Sequence, residues 1–351
     1  MPVEFHRLRV CRVRPETDEV VSVAFEVPPH LTELYAYQPG QHLTLRRSFE
    51  GVEQRRSYSI CSGLDDAELR VAVKRVPGGL FSEWVHAELR QGMCLDVMTP
   101  AGRFTTRLDP ARQRHYLALA VGKGITPIMA LLDSTLAREP ASRFTLVYGN
   151  RTTRSILFRD QLADLKDRYV DRFQLIHVLS RQEQEVELFN GRLDADRLRC
   201  LAATVVPLAA IDEAFICVPQ PTSQALRETL RELGIEHSRV HFELFGTPHV
   251  APPTTANGAD HHLSVVARGV RSEIDLDAST TVLEAGLAAG LELPFSCRDG
   301  VCATCRAHLD EGEVNMAANY ALEPWELERG FVLTCQSRPI SQRIVVDYDH
   351  T

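Results

Sequence analysis

Short runs of alternating apolar and polar residues fill the first third of the chain. Val20–Val27, His42–Leu45 and Leu69–Val73 each have the period of a half-buried strand, with Pro39-Gly40 and Pro77-Gly78-Gly79 as turns between them. Residues 1–107 therefore predict a small antiparallel β-barrel or sandwich. Near residue 110 the pattern changes. Strand-like apolar runs now alternate with helical periods: Tyr116–Val121, Pro127–Arg138, Phe144–Tyr148, Phe158–Lys166, Gln174–Leu179, Phe215–Cys217 and Thr222–Leu233. Such alternation predicts a parallel sheet flanked by helices over 110–245. Residues 246–261 are rich in Pro, Gly, Thr and Ala and have no period, which suits a semi-rigid linker. Residues 262–351 then form a separate C-terminal domain. The prediction is a multi-domain chain with no repeats.

At 351 residues, 44% hydrophobic and 25% charged, the composition is that of ordinary globular domains. The longest apolar stretch, Leu201–Ile211, is too short to span a bilayer and contains Pro207. The first residues lack the apolar core of a signal peptide, so the expectation is a soluble, cytoplasmic protein without membrane contact. Charge is uneven. Residues 262–351 hold 14 acidic and 7 basic side chains, which accounts for nearly all of the formal net charge of −8. An acidic module of this kind steers toward a basic partner surface or simply stays soluble. No basic stripe points to nucleic acid. Of nine cysteines, Cys11, Cys61, Cys94, Cys200 and Cys217 are scattered and odd in number, as reduced thiols are.

The other four carry the strongest chemical signal. Cys297, Cys302 and Cys305 are spaced Cys-x4-Cys-x2-Cys, and Cys335 follows after 29 intervening residues. This is the plant-type spacing for a [2Fe–2S] cluster. A structural zinc site usually shows two short ligand pairs, and buried free thiols have no reason to cluster this way. The apolar run Gly330–Leu333 would return Cys335 to the ligand loop.

The remaining motifs are weaker. Gly122-Lys123-Gly124-Ile125-Thr126-Pro127 joins a strand to a helix, where a phosphate-bearing ligand meets backbone N–H groups, although a plain tight turn has the same residues. Ser180-Arg181 and Arg151 follow strands and suit a nucleotide 2′-phosphate, or solvent. Cys217 ends a strand, where α/β ligands sit and core cysteines also occur. Arg56-Ser57-Tyr58-Ser59 offers phosphate pairing, ring stacking and a hydroxyl on one strand. Gly79-Leu80-Phe81-Ser82 opens an expected helix Glu83–Leu89, either as a pyrophosphate site or with Ser82 as a plain N-cap.

Together these motifs resemble the ferredoxin–NADP reductase-like reductases with a C-terminal plant-type ferredoxin domain, which serve multicomponent bacterial oxygenases. The similarity is nearest to the phenylacetyl-CoA epoxidase reductases within that family. It covers essentially the whole chain, including Pro39–Leu45, Tyr148–Thr152, Asn319–Pro324 and Gly330–Gln336. The resemblance implies an FAD-binding β-barrel, an NAD(P)-binding α/β domain and an α+β (β-grasp) ferredoxin domain. It implies that Arg56, Ser57, Tyr58 and Ser59 hold flavin phosphate, ring and N5, with Lys74 bordering the ring. Gly79 and Ser82 take the pyrophosphate, and Glu243 and Phe245 close over the flavin. Gly122, Gly124, Thr126 and Pro127 form the nucleotide turn, and Cys217 and Pro219 place the nicotinamide. Ser59 and Cys217 would then be the catalytic pair.

Two positions depart from the family pattern. Lys123 stands where serine is usual, and Val218 replaces the glycine of a Cys-Gly-Pro motif. Both leave the choice between NADPH and NADH open. The implied electron path runs from NADPH (or NADH) through FAD and the cluster to a separate oxygenase core. That core would be a separate polypeptide, because no pair of Glu-x-x-His motifs of di-iron type occurs here; the resemblance implies that it is a di-iron oxygenase. The alternatives are a reductase for a steroid, aromatic or alkane oxygenase, or a redox carrier with a decayed nucleotide site.

Overall fold

The computed structural model describes residues 4–244 and 261–350. They fall into two compact units, residues 4–244 and residues 261–350. Phe245, and all of the expected linker except His261, lie outside the described residues.

The first unit contains two sheets. Strands β1 (Phe5–Thr17), β2 (Val20–Glu26), β3 (His42–Phe49), β4 (Val52–Ser59), β5 (Leu69–Lys74) and β6 (Cys94–Met98) form an antiparallel sheet ordered β4-β3-β6-β1-β2-β5. A bridge between Ile60 and Val71 joins its two edges and curls the sheet toward a barrel. Alternate residues Val23 and Phe25, Leu43 and Leu45, and Val71 and Val73 fill the interior with Phe81, Trp84 and Val85 of helix α1 (Leu80–Ala87). This helix begins three residues earlier than the sequence suggests, and Ser82 is not its N-cap. Gly78, at φ +73°, turns the chain early, and Gly79 takes the N-cap position. Ser82 Oγ instead accepts from the Val76 amide at 3.1 Å and donates to the Gly79 carbonyl at 3.0 Å.

The second sheet is wholly parallel. Its strands are β7 (His115–Val121), β8 (Arg143–Asn150), β9 (Phe173–Leu179), β10 (Glu213–Cys217) and β11 (Val240–Glu243), ordered β11-β10-β7-β8-β9. Helices α2 (Ile125–Arg138), α3 (Arg159–Arg168), α4 (Ala195–Thr204) and α5 (Gln220–Glu232) cover it. The chain steps outward from β7 to β9, then returns to the other side of β7. That reversal opens a crevice beyond the carboxyl ends of β7 and β10, the place where such sheets bind ligands. Val20, Ala72 and Phe104 of the barrel share one core with Tyr116, Ile125 and Phe215 of the parallel sheet. The rings of Phe104 and Phe215 meet edge to face at 5.4 Å. This common core fixes the crevice against the barrel wall.

The second unit is a mixed sheet that grasps a helix. Its elements are β12 (His261–Ala267), β13 (Val270–Leu276), α6 (Val282–Ala288), β14 (Arg306–Glu311), β15 (Val314–Met316), α7 (Pro324–Glu328), β16 (Phe331–Leu333), β17 (Ser337–Pro339) and β18 (Arg343–Asp347). Five strands run in the order β13-β12-β18-β14-β16, with β12 and β18 parallel, and β15 pairs with β17 apart from them. A capping box between Thr281 and Glu284 starts α6.

Candidate flavin, nucleotide and cluster sites

A cavity of ≈ 320 Å³ opens between the barrel and the parallel sheet. Arg56, Ser57, Tyr58 and Ser59 line it from β4, Lys74 from β5, and Gly79, Phe81 and Ser82 from the turn into α1. Lys123, Thr126 and Leu157 close it from the nucleotide half. Tyr58 packs on Phe81 at 6.2 Å between ring centroids, and burial pushes its hydroxyl pKa up. Ser59 Oγ donates to Glu243 Oε2 at 3.1 Å, joining the end of β4 to the end of β11. Burial raises the Glu243 carboxyl to about 8, against the smaller opposing pull of the Ser59 hydroxyl. Glu243 is therefore mainly protonated at neutral pH.

The nucleotide turn leaves β7 at Gly122, whose φ of +54° suits glycine. Tyr148 Oη donates to the Gly122 carbonyl at 2.9 Å, and Thr126 Oγ1 donates to the Lys123 carbonyl at 3.1 Å. Gly124 lies flat against the end of β10, where an added Cβ would stand 1.9 Å from the Cys217 carbonyl oxygen. Pro127 is buried in the first turn of α2. Burial pushes the Cys217 thiol pKa well up; Glu243 adds to that shift and Lys123 opposes it. Ser59 and Lys123 line the cavity, whereas Glu243 and the fully buried Cys217 do not; Glu243 reaches it through its bond with Ser59, and Cys217 abuts the nucleotide turn at Gly124. Val218 does not obstruct the cavity. Its side chain belongs to the core on the other face of the sheet, with Ile216, Leu226 and Val240, because alternation along β10 sends Cys217 and Val218 to opposite sides.

Ser180, Arg181 and Arg151 do not line the cavity. They stand at the carboxyl ends of β8 and β9, where the Ser180 amide bonds the Asn150 carbonyl at 2.9 Å and the Arg181 amide the Arg151 carbonyl at 2.8 Å. The Arg181 side chain is exposed. Arg151 reaches Glu19 at 3.2 Å, and Glu19 also holds Lys74 Nζ at 2.9 Å. Lys74 and Arg151 lower the Glu19 pKa. Glu19, Phe81 and Leu157 belong to the site without being named by any motif. Phe81, inside Gly79-x-x-Ser82, was within reach of that motif; Glu19 and Leu157 arrive only through tertiary packing.

In the second unit, Cys297, Cys302 and Cys305 lie on the loop before β14, and Cys335 lies between β16 and β17. Arg298, Gly300 and Ala303 have φ of +59°, +72° and +53°. These left-handed turns fold the backbone amides inward. The Asp299 amide donates to Cys297 Sγ at 3.3 Å, and Gln336 Nε2 approaches Cys335 Sγ at 3.7 Å. Cys297 pairs with Cys302, and Cys305 with Cys335, through thiol hydrogen bonds that lower the pKa of Cys297 and Cys335 and raise that of their partners. The Thr334 hydroxyl donates to the Cys305 carbonyl at 2.9 Å and accepts from Tyr348 at 2.7 Å. Just past Cys305, Arg306 meets the fully buried Glu326 at 2.8 Å. Four soft sulfurs in a fold of inward amides fit a [2Fe–2S] group. A different group, His308, Asp310 and His350, has ligand atoms within 4.8 Å of one another. Its two rings stack in parallel at 4.1 Å, so their nitrogens do not converge on one point, and His308 already bonds Asp310 and the Arg329 carbonyl.

Three family models match in sequence order: an oxidoreductase FAD-binding domain over residues 10–106, an oxidoreductase NAD-binding domain over 119–219 and a 2Fe-2S iron-sulfur cluster binding domain over 265–339. The chain is 44% identical over 348 residues to the E component of 1,2-phenylacetyl-CoA epoxidase from Escherichia coli (strain K12), covering 98% of each chain. It belongs to the oxygenase reductases. This reductase carries FAD, a [2Fe–2S] cluster and a site for pyridine nucleotide, and it passes electrons to an oxygenase component. It is also 37% identical to the ferredoxin reductase component of 3-ketosteroid-9-alpha-monooxygenase from Mycobacterium tuberculosis (strain CDC 1551 / Oshkosh), over 97% of this chain and 95% of that one. Phthalate dioxygenase reductase shares the fold, with a TM-score of 0.58 at 23% identity over 98% of both chains. Among the described residues, no helix of the reductase is long and apolar enough to cross a membrane.

Proposed function

We propose that the reductase supplies electrons from NADPH to the oxygenase core of a phenylacetyl-CoA epoxidase in phenylacetate degradation. The observation that carries this reading is the 44% identity, spread over 98% of each chain, to the E component of that epoxidase. The core would be a separate di-iron protein, and the exchange would take place in the cytoplasm. Residues 1–107 form the flavin domain in this reading, 110–245 the nucleotide domain, 246–261 the linker and 262–351 the ferredoxin domain.

Bound FAD accepts electrons in pairs and releases them singly, which matches a two-electron donor to a one-electron cluster. The side chains place and shield the reactants. Tyr58 and Phe81 offer an aromatic wall, and Arg56 offers charge to the phosphates. The Gly79–Ser82 turn and the start of α1 present backbone to the pyrophosphate. Ser59, held by protonated Glu243, keeps a hydroxyl at the reacting edge. Cys217 packs without charge where the nicotinamide arrives, and Gly124 allows the turn to come that close. Lys74 is fixed by Glu19, which also ties Arg151 of the nucleotide half to the barrel. Phe245, which the resemblance assigns to the flavin site, lies outside the described residues. Arg181 and Ser180 suit the 2′-phosphate of NADPH, with NADH as the weaker donor. Cys297, Cys302, Cys305 and Cys335 hold the cluster.

The test is reconstitution. With NADPH and a phenylacetyl-CoA epoxidase core, the reductase should support epoxide formation from phenylacetyl-CoA. Turnover only with a 3-ketosteroid monooxygenase core would assign it to the second group of relatives, which it matches at 37% identity.

A further inference from the structure

Lys123 sits on the nucleotide turn beside the proposed position of the nicotinamide, and burial lowers its ammonium pKa from the usual 10.5, with Cys217 opposing and Lys74 adding to the shift. It lines the same cavity as Ser59 and Thr126. Its turn is pinned on three sides: Tyr148 holds the Gly122 carbonyl at 2.9 Å, Thr126 holds the Lys123 carbonyl at 3.1 Å, and Gly124 abuts the Cys217 carbonyl. The Cys217 thiol senses both Glu243 and Lys123, with opposite sign. Two further cations, Lys74 and Arg56, line the cavity from the barrel. Lys74 pairs with Glu19 at 2.9 Å, and Arg56 Nη1 donates to the Arg55 carbonyl at 2.7 Å.

A nicotinamide changes charge when it reacts. The C4–H bond breaks, the hydrogen leaves with both bonding electrons for the flavin, and the ring is left as a pyridinium of charge +1. Reduced nucleotide therefore enters with a neutral ring, and oxidised nucleotide must leave with a positive one. An ammonium beside the ring is nearly indifferent to the first and repels the second.

We propose that Lys123 discriminates the reduced from the oxidised nucleotide, weakening the hold on the pyridinium ring so that product is released and does not compete with substrate. This deepens the functional reading above and rests on its placement of the nicotinamide.

The experiment uses the full-length reductase with flavin and cluster bound, and two probes. NADP+ carries the pyridinium. The 1,4,5,6-tetrahydro derivative of NADPH has a neutral ring and cannot deliver hydride. Each is titrated while the flavin absorption band is followed. Lys123→Met should bind NADP+ about tenfold more tightly than the parent, the effect of removing one nearby like charge, and the tetrahydro probe within about twofold. Lys123→Arg should behave as the parent. Lys123→Gln repeats the contrast with a polar side chain if the methionine variant does not fold. Equal weakening of both probes would make Lys123 a phosphate ligand and overturn the proposal, as would no change in either. If both probes leave the parent flavin spectrum unmoved, the nicotinamide placement itself fails and the proposal fails with it.

Discussion

Gly124→Ala is the sharpest test of how the two strand ends cooperate. The added methyl would stand 1.9 Å from the Cys217 carbonyl oxygen, 2.8 Å from its carbon and 3.4 Å from its Cβ. Ordinary non-bonded contact needs about 3.5 Å, so the nucleotide turn and the end of β10 must separate by more than ~1 Å. Overpacking of this kind costs about 1–3 kcal/mol of stability. A misplacement of ~1 Å between reacting groups costs about 10²-fold in rate. Gly122→Ala is the control: its φ is +54°, but no atom lies within 4 Å of the new Cβ. It should cost about 1–2 kcal/mol through the left-handed backbone and leave Cys217 in place. Anaerobic stopped-flow reduction of the flavin by NADPH, with urea midpoints measured in parallel, separates the two effects. The Gly124 variant should lose about 10²-fold in reduction rate and the Gly122 variant only a few-fold. A Gly124→Ala protein that reduces its flavin at the parental rate would refute the idea that this contact sets the reacting distance.

Other tests address the remaining parts. Cys302→Ser should lose iron and cytochrome c reduction while NADPH–ferricyanide activity persists through the flavin; parallel loss of both activities would contradict a serial path. Arg181→Ala should raise KM for NADPH about tenfold, as expected for one lost charge-assisted phosphate contact, and spare NADH; an equal effect on both donors would remove Arg181 from the 2′-phosphate site. Buried His42 is pushed down to about 4 from 6.5, so between those values the unfolded chain binds more protons and stability falls as pH falls. Glu243, raised from 4.5 to about 8, works in the opposite sense across its own window. His42→Gln should therefore lose up to about 1.4 kcal/mol per pH unit of acid sensitivity relative to the parent, as read from urea midpoints between pH 4 and 6.5.

The parts of this architecture visible in sequence are those set by local spacing. The close cysteine trio Cys297, Cys302 and Cys305, the β4 motif and the strand–helix alternation each depend on residues a few positions apart. The sequence pattern puts the start of α1 at Glu83, whereas the helix begins at Leu80 because Gly78 and Gly79 turn the chain before Ser82 is reached. Helix α4 was hidden because its apolar residues run into Leu201–Ile211 without a break in composition. The motif shows that Val218 replaces a glycine but not where its side chain faces, since facing is decided by strand alternation. Glu19 was invisible for the plainest reason: Arg151, one of its partners, lies 132 positions away. Pairings at that range depend on how the two sheets meet.

The position of β18 bears on when the protein can acquire its iron. That strand lies between β12 and β14, and Tyr348 just beyond it bonds Thr334 beside Cys335. Until residues near 348 have left the ribosome, the paired strands β14 and β16, which Cys305 precedes and Cys335 follows, cannot join β12 and β13. Cluster insertion is thus postponed until translation of this domain is almost finished, and a nascent chain cut short within β18 would emerge with its flavin half complete and its metal half unloaded.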